Sequence, residues 1–437
     1  MGNNKLFLIA GGLVIVAIVL IAVVLLSRGF GPADGGQPAD LQFWGVFDDS
    51  GVFRQSIDAF RLDHPEINVT YRQFTFEDYE KALINAFASG AGPDIYMIQN
   101  TWLPRYEDKI LPLPQQIPGQ DTALFTLREF REQFVDVAEK DLVVGDEIYG
   151  LPLYIDTLAL YYNKDIFNSL GISQPPQTWN DFNEYAESIT IADSRNNISR
   201  AGAAIGTARN INRSTDILSL LMLQSGVPMT DSDQVGAEFS NITDGKDLGE
   251  VALEYYTDFA NPAKRVYTWN DGLHYSIDAF QEGNVAMTFN YSHQIPLLRS
   301  KAPRLNFAVA PMPQLNFSQS LNYANYWAPT VSKFSKSGQQ AWEFLVFLSS
   351  NEGVVSYLNN SGRPTARREL IEQQKNDLDL GVFANQALSA VSWYQVDALA
   401  VENIMADMIE DVNFGRRSIS EALRTAENKI NVLMQRR

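Results

Sequence analysis

Aromatic side chains set beside carboxylates and amides are the residues of this chain best suited to recognising another molecule. Trp44 stands near Asp48, Asn100 near Trp102, and Tyr154 near Asp156. Further along, Asn290 adjoins Tyr291, Tyr326 adjoins Trp327, and Trp393 adjoins Tyr394. Flat apolar faces flanked by hydrogen-bonding groups suit a sugar, which offers CH faces for stacking and a rim of hydroxyls. Any one of these rings serves equally well as core packing. The pattern makes a site only where several rings line one groove.

Reactive chemistry is harder to find. The chain has no G-x-S-x-G, no P-loop, no H-E-x-x-H and no G-x-G-x-x-G. Gly90-Ala91-Gly92 follows a helical stretch and precedes a strand, the reverse of a dinucleotide-binding turn. Asp48-Asp49 with Asp156 would be the carboxylate pair of a glycosidase, a weak signal in so acidic a chain. Asp231-Ser232-Asp233 begins like a calcium loop but lacks the later Gly and Glu, and reads as a solvated loop. With no cysteine and only three histidines, disulfides, thiol nucleophiles and His-rich metal sites drop out, and no cofactor or metal is expected. The 34 Lys and Arg against 52 Asp and Glu, a net charge of −18, argue against nucleic acid as a partner.

The elements that would hold these residues alternate. Leu41–Trp44 reads as a strand, and Phe53, Ile57 and Phe60 as the inner face of a helix ended by Pro65. Ile67, Val69 and Tyr71 then alternate as in a half-buried strand. Thr75-Phe76-Glu77-Asp78 resembles a capping box before a helix with Tyr79, Leu83 and Phe87 inward, and Asp94–Ile98 is the next strand. The same grammar resumes with strand Leu158–Tyr162 and the helix capped by Thr178-Trp179-Asn180-Asp181. Helices follow at Ile217–Leu223 and Leu248–Phe259, and short strands at Val285–Phe289 and Phe307–Val309. The last third is mostly helical, with Trp342, Leu345 and Leu348 on one face and Ile419, Leu423, Ala426, Ile430 and Leu433 on another. The 437 residues suit two or three domains, and the alternation indicates α/β lobes.

The N-terminal end differs. Leu6–Leu26 is an uncharged run of 21 residues, close to the ~20 that span a bilayer core. It is longer than a cleaved signal's apolar core, and Leu25-Leu26-Ser27-Arg28 is a poor cleavage site. An uncleaved transmembrane anchor over 6–26 is therefore expected, with a flexible Gly- and Pro-rich linker over 27–39. Lys5 before the run places the N-terminus in the cytoplasm and the bulk of the chain on the extracytoplasmic face.

Ordered along the chain, several stretches together resemble the extracellular solute-binding proteins of family 1, the sugar and oligosaccharide receptors of ATP-driven importers typified by maltodextrin-binding proteins. They are Phe43-Trp44-Gly45, His64-Pro65-Glu66-Ile67, Gly92-Pro93-Asp94-Ile95 and Gly150-Leu151-Pro152. Leu160-Tyr161-Tyr162-Asn163-Lys164-Asp165, Pro176-Gln177-Thr178-Trp179, Phe280…Gly283…Ala286-Met287 and Ala310-Pro311-Met312-Pro313 complete the set. The resemblance implies a two-lobe periplasmic-binding-protein-like fold of type II. Each lobe would be a mostly parallel sheet flanked by helices, and the pair would close on ligand about a hinge. The first lobe would take 40–151 plus 304–350, the second 152–303 plus 351–437.

On that pattern Asp48 and Asp156 resemble carboxylates that accept sugar hydroxyls. Trp102 lies in a loop that carries a stacking aromatic, and Tyr291 and Trp393 fall near the second lobe's stacking positions. Arg213, in Asn210–Asp216, resembles a ligand-loop residue, and Trp327 lies on a strand that borders the cleft. Trp44 and Tyr154 complete the candidates. Two departures stand out: the first stacking aromatic is Tyr291 rather than a Trp, and an apolar run replaces the lipidated Cys. The implied partners are a carbohydrate, a permease and, through the N-terminal helix, the membrane, for a non-enzymatic monomer. A sugar-sensing subunit and a carbohydrate-active enzyme remain as alternatives.

Overall fold

The computed structural model describes residues 38–115, 123–242, 245, 247–316 and 318–435. The expected span over 6–26 and nearly all of the linker over 27–39 lie outside the described residues. Among the described residues no helix is long and apolar enough to cross a membrane.

The chain enters through β1 (Ala39–Val46), α1 (Ser50–Asp63), β2 (Ile67–Phe74), α2 (Phe76–Ala88) and β3 (Ile95–Gln99), in the order the sequence predicts. The Asp49 carboxylate accepts the Gly51 N–H at 2.7 Å to start α1, which buries Phe53, Ile57 and Phe60. Thr75 caps α2 by accepting the Asp78 N–H. The buried Tyr79 hydroxyl then lies 2.8 Å from both the amide and the carbonyl of Met97 and 3.2 Å from the Trp44 carbonyl, tying α2 to β1 and β3. Helix α3 (Asp136–Leu142) precedes a two-residue crossing strand, β4 (Asp156–Thr157).

Beyond β4 come β5 (Ala159–Asn163), α4 (Trp179–Ile189), β6 (Ile191–Ala192), β7 (Ile198–Ala203), α5 (Ser214–Gln224), α6 (Leu248–Asp258), β8 (Val285–Asn290) and β9 (Phe307–Ala310). The chain recrosses at β10 (Asn322–Asn325) into β11 (Trp327–Val331), α7 (Gly338–Ser349) and α8 (Asn351–Ser361). It then runs through β12 (Ala390–Val391), α9 (Ala398–Asn413) and α10 (Ile419–Met434). Reciprocal capping boxes open α4 at Thr178 and Asp181 and α10 at Ser418 and Glu421.

Two sheets organise two cores. In the first, ordered β11-β3-β1-β2, β1 runs parallel to both neighbours and β11 is antiparallel. The second is ordered β9-β5-β8-β7-β6, and only its β7–β8 pair is parallel. The expectation of a mostly parallel sheet thus fits the first lobe and is corrected for the second. There β5 runs opposite to both of its neighbours, β8 and β9, because the chain enters this lobe along β4 and leaves it along the neighbouring β10. Those strands pair antiparallel, β4 with β10, and β12 adds a third.

The lobe boundaries also differ from those expected. One core takes buried residues from 39 to 155 and from 324 to 371; the other takes 158 to 323 and 383 to 434, with Ala387 and Ala390 returning to the first. Segment 304–323 stays with the second lobe because β9 pairs with β5. Helix α8 stays with the first because it packs on α1, where the Ser56 hydroxyl donates to the Gly353 carbonyl at 2.8 Å and the Tyr357 and Phe53 rings are 5.2 Å apart.

Candidate functional site

In parallel sheets, ligand-facing loops sit at the carboxyl ends of the strands. Here those ends carry Phe47-Asp48-Asp49 after β1 and Asn100-Thr101-Trp102 after β3, beside the crossing strands. The Gln99 side chain at the end of β3 donates to Asn325 on β10 at 3.3 Å, and Asn325 in turn bonds to Asp216 on α5 of the second lobe. The first lobe's strand ends are therefore linked through β10 to the start of α5.

The first-lobe wall is aromatic. Trp327, only 4% exposed, is ringed by Trp102 at 4.9 Å, Phe47 at 5.8 Å, Tyr79 at 5.8 Å and Phe76 at 6.2 Å. Phe47 and Phe76 stack on each other at 5.9 Å and 18°, yet remain 53% and 51% exposed. Trp44 stands apart from these rings. It packs on Phe74 at 4.7 Å with the Arg72 guanidinium 5.4 Å from its centroid.

Beneath these rings lies a knot of buried charge. Asp48 accepts from Arg363 Nε at 3.2 Å and Nη2 at 2.8 Å, and from the Tyr357 hydroxyl at 2.8 Å. The same guanidinium lies 4.4 Å from the centroid of the Tyr154 ring, whose hydroxyl accepts the Trp327 N–H at 3.2 Å. Burial pushes that phenol up to about 12, with Arg363 opposing and Asp48 assisting. Asp48 is thus committed to its own lobe. Asp156, on β4, accepts the Thr157 N–H at 2.9 Å, the Ser292 N–H at 3.0 Å and the Ser292 hydroxyl at 2.7 Å. Burial pushes its carboxyl up to about 6 against the pull of those donors and of Arg363. The imagined catalytic pair is therefore two separately saturated carboxylates.

The second-lobe wall is polar. Arg213 caps α5 with a left-handed backbone, φ 65°, and its guanidinium sits 5.2 Å from the Tyr291 centroid. Its buried Nε has no hydrogen-bond partner. Tyr291 is buried, and its hydroxyl donates to Asp216 Oδ2 at 2.7 Å. His293 keeps exposed surface, while neighbouring protein desolvates its ring. That desolvation, with the positive charges of Arg213 and Arg363 adding to it, lowers its pKa to about 3. Burial raises the carboxyls of Asp216 and Glu402 here, and Arg213 pulls both back down.

At the far side of the cleft the lobes touch. Burial pushes the Asp141 carboxyl of α3 up to about 6. It accepts from the second lobe's Ser392 hydroxyl, from Asn100 at 2.9 Å and from the Tyr326 hydroxyl at 3.0 Å. Lys140 donates to the Ser392 carbonyl at 3.2 Å, and Arg105 lies 3.7 Å from Asp397 at the start of α9. A narrow gap remains here, bordered by Asn100, Asp141, Gln234 and Trp393. Trp393 itself is 4% exposed and donates to the Ser219 hydroxyl at 3.3 Å. A larger open pocket, lined by Trp269, His274 and Glu282, lies at the amino ends of β7 and β8, away from the crossing strands.

The structure thus groups Trp102 with Trp327, Asp48 with Tyr154, and Arg213 with Tyr291 near Asp156. It sets Trp44 apart and sinks Tyr291 and Trp393 beneath the surface. Sequence reasoning missed Phe47, Phe76, Arg363, His293, Asp216, Glu402 and Asp141. Phe47 carried a usable signal, a bulky apolar residue wedged between a strand and Asp48-Asp49.

The family profile described as bacterial extracellular solute-binding protein matches residues 44–355. A putative binding protein of Brucella abortus is 21% identical over 395 residues, 88% of this chain and 90% of its own. A maltodextrin-binding protein of Bacillus subtilis is 23% identical over 314 residues, 68% of this chain and 70% of its own. Among solved structures, a cyclo/maltodextrin-binding protein complexed with maltotetraose superposes with a TM-score of 0.73 at 20% identity, over 92% of this chain and 98% of that one. The cyclic alpha-maltosyl-1,6-maltose binding protein of Arthrobacter globiformis gives 0.75 at 17% identity, over 92% and 100%. These likenesses fix the fold.

Proposed function

Given that the chain belongs to the bacterial extracellular solute-binding proteins, we propose that it is a membrane-tethered receptor. It captures a carbohydrate between its lobes on the extracytoplasmic face and delivers it to the permease of an ATP-driven importer. What supports the reading is the gathering of unlike surfaces about the crossing strands, one on each lobe. Phe47, Phe76 and Trp102, packed about the buried Trp327, offer ring surface on one lobe, and Arg213, Asp216, His293 and Glu402 offer donors and acceptors on the other. Each lobe alone holds half of such a site, so ligand gains full contact only on closure and shifts the open–closed equilibrium by that difference. An affinity near 1 μM is about −8 kcal/mol. Ring stacking and a few charge-assisted hydrogen bonds at about 1.5–3 kcal/mol each supply that after the closure cost.

Support for the non-enzymatic reading comes from the relatives, which are named as binding proteins, and from the separate saturation of Asp48 and Asp156. The tether rests on the 21 uncharged residues from Leu6 to Leu26. The test is a thermal-shift screen of the full chain against neutral mono- and oligosaccharides. A ligand bound only by the folded state raises the melting temperature. A rise with at least one saccharide is expected; a flat response to all of them, with a rise for an amino acid, polyamine or metal chelate, would replace the ligand class.

A further inference from the structure

The described residues contain four non-glycine positions with positive φ: Phe47 at 66°, Asn196 at 63°, Arg213 at 65° and Gln234 at 57°. Asn tolerates this conformation. The other three border the space between the lobes: Phe47 and Arg213 on opposite walls, Gln234 at the gap beside Trp393. Phe47 is the most costly of them. The Asp48 N–H bonds to the Val46 carbonyl at 2.7 Å, so Phe47 is the central residue of a γ-turn of the rare, strained hand. The turn is held from outside. Gln73 donates to the Phe47 carbonyl at 3.1 Å, the Tyr71 hydroxyl donates to the Asp48 carbonyl at 2.8 Å, and Arg363 grips the Asp48 carboxylate. Gly45 lets Tyr71 come this close, since a Cβ there would stand 2.5 Å from its hydroxyl oxygen.

Strain of this kind persists only where the surroundings over-determine it. Folding explains little of what it achieves here. Phe47 packs against Trp327, but over half of the residue's surface stays in solvent, as does that of its stacked neighbour Phe76. A strained backbone that displays an apolar ring costs stability twice. Both costs have one common result, a stacked pair of half-exposed rings displayed at the carboxyl end of β1.

We propose that Phe47, backed by Phe76, is the specificity-determining stacking platform of the first lobe. It takes the apolar CH face of a pyranose ring while the hydroxyl rim turns toward the second-lobe wall. The inference rests on the carbohydrate-receptor reading above. A merely structural Phe47 would lose stability on truncation and leave affinity alone; a platform does the reverse.

The experiment titrates the full chain and its variants calorimetrically with maltotetraose, mannobiose and tagatose, and records melting temperatures alongside. Phe47→Gly is expected to melt no lower than wild type, because glycine accepts the positive φ, and to bind the saccharide at least tenfold more weakly. Phe47→Tyr should keep affinity within threefold, and Phe76→Ala should weaken it by three- to tenfold. Phe47→Gly with affinity within twofold of wild type overturns the platform while leaving the receptor reading intact. Wild type that binds neither these three nor any other neutral saccharide of the screen overturns both, and that failure is seen without any variant.

Discussion

Arg363 is the residue on which the floor of the cleft turns, since it neutralises Asp48, lies over Tyr154 and helps keep His293 uncharged. Removing one partner of a buried ion pair leaves the other charge without compensation, which costs about 3–5 kcal/mol. Arg363→Gln should therefore lower unfolding stability by roughly that amount, read as a reduced midpoint in urea. An unchanged midpoint would mean that Asp48 is solvated. His293 gives a second test. Its folded pKa, lowered to about 3, lies below the unfolded value near 6.5, so the folded state resists protonation, and this group costs stability as pH falls below about 6.5. Its imidazole nitrogen signals should not titrate between pH 8 and pH 5; a midpoint near pH 6.5 would place the ring in open solvent.

The crossing elements carry the opposite sign. Asp141 on α3 and Asp156 on β4 have carboxyls pushed up to about 6, above the unfolded value near 3.9. Between those values the folded state binds more protons than the unfolded one, so these groups lower stability as pH rises from about 4 to 6, and the loss stays in place above that. The Asp156→Asn variant should show a shallower fall over this window than wild type, by about one proton in the slope of unfolding free energy against pH. An identical slope would remove Asp156 from the account. At this scale the sequence was most legible where geometry is local. Thr178 and Asp181 announced the cap of α4, and Phe53, Ile57 and Phe60 the inner face of α1. It was least legible where partners are distant. Arg363 lies 315 positions from Asp48, and the direction of β5 against β8 and β9 depends on where the chain recrosses. An aromatic beside a polar residue marks a buried ring with a satisfied N–H or O–H as readily as a ligand contact. Tyr291 and Trp393 are of the buried kind. The positive φ of Phe47 has no sequence signature at all.

For the whole molecule, the two-lobe plan followed from the ordered stretches between Phe43 and Pro313, while the true crossovers at β4 and β10 needed the packed cores to locate them. The net charge of −18 and the apolar run from Leu6 to Leu26 frame the remaining expectation, a body held at the outer face of a membrane by its own N-terminal segment. Full-length protein should stay with membranes through an alkaline carbonate wash, and protein lacking residues 1–37 should be released. Release of both would end the tether.

The central claim is that a carbohydrate is held by both walls at once. Small-angle scattering of the full chain in a lipid nanodisc matched out by contrast, with and without the saccharide that raises its melting temperature, tests this most directly. The radius of gyration should fall on saturation in wild type, and the fall should shrink in Phe47→Gly on one lobe and in Arg213→Gln on the other at equal saccharide concentration. Saturable binding with an unchanged radius and full tolerance of both substitutions would contradict it.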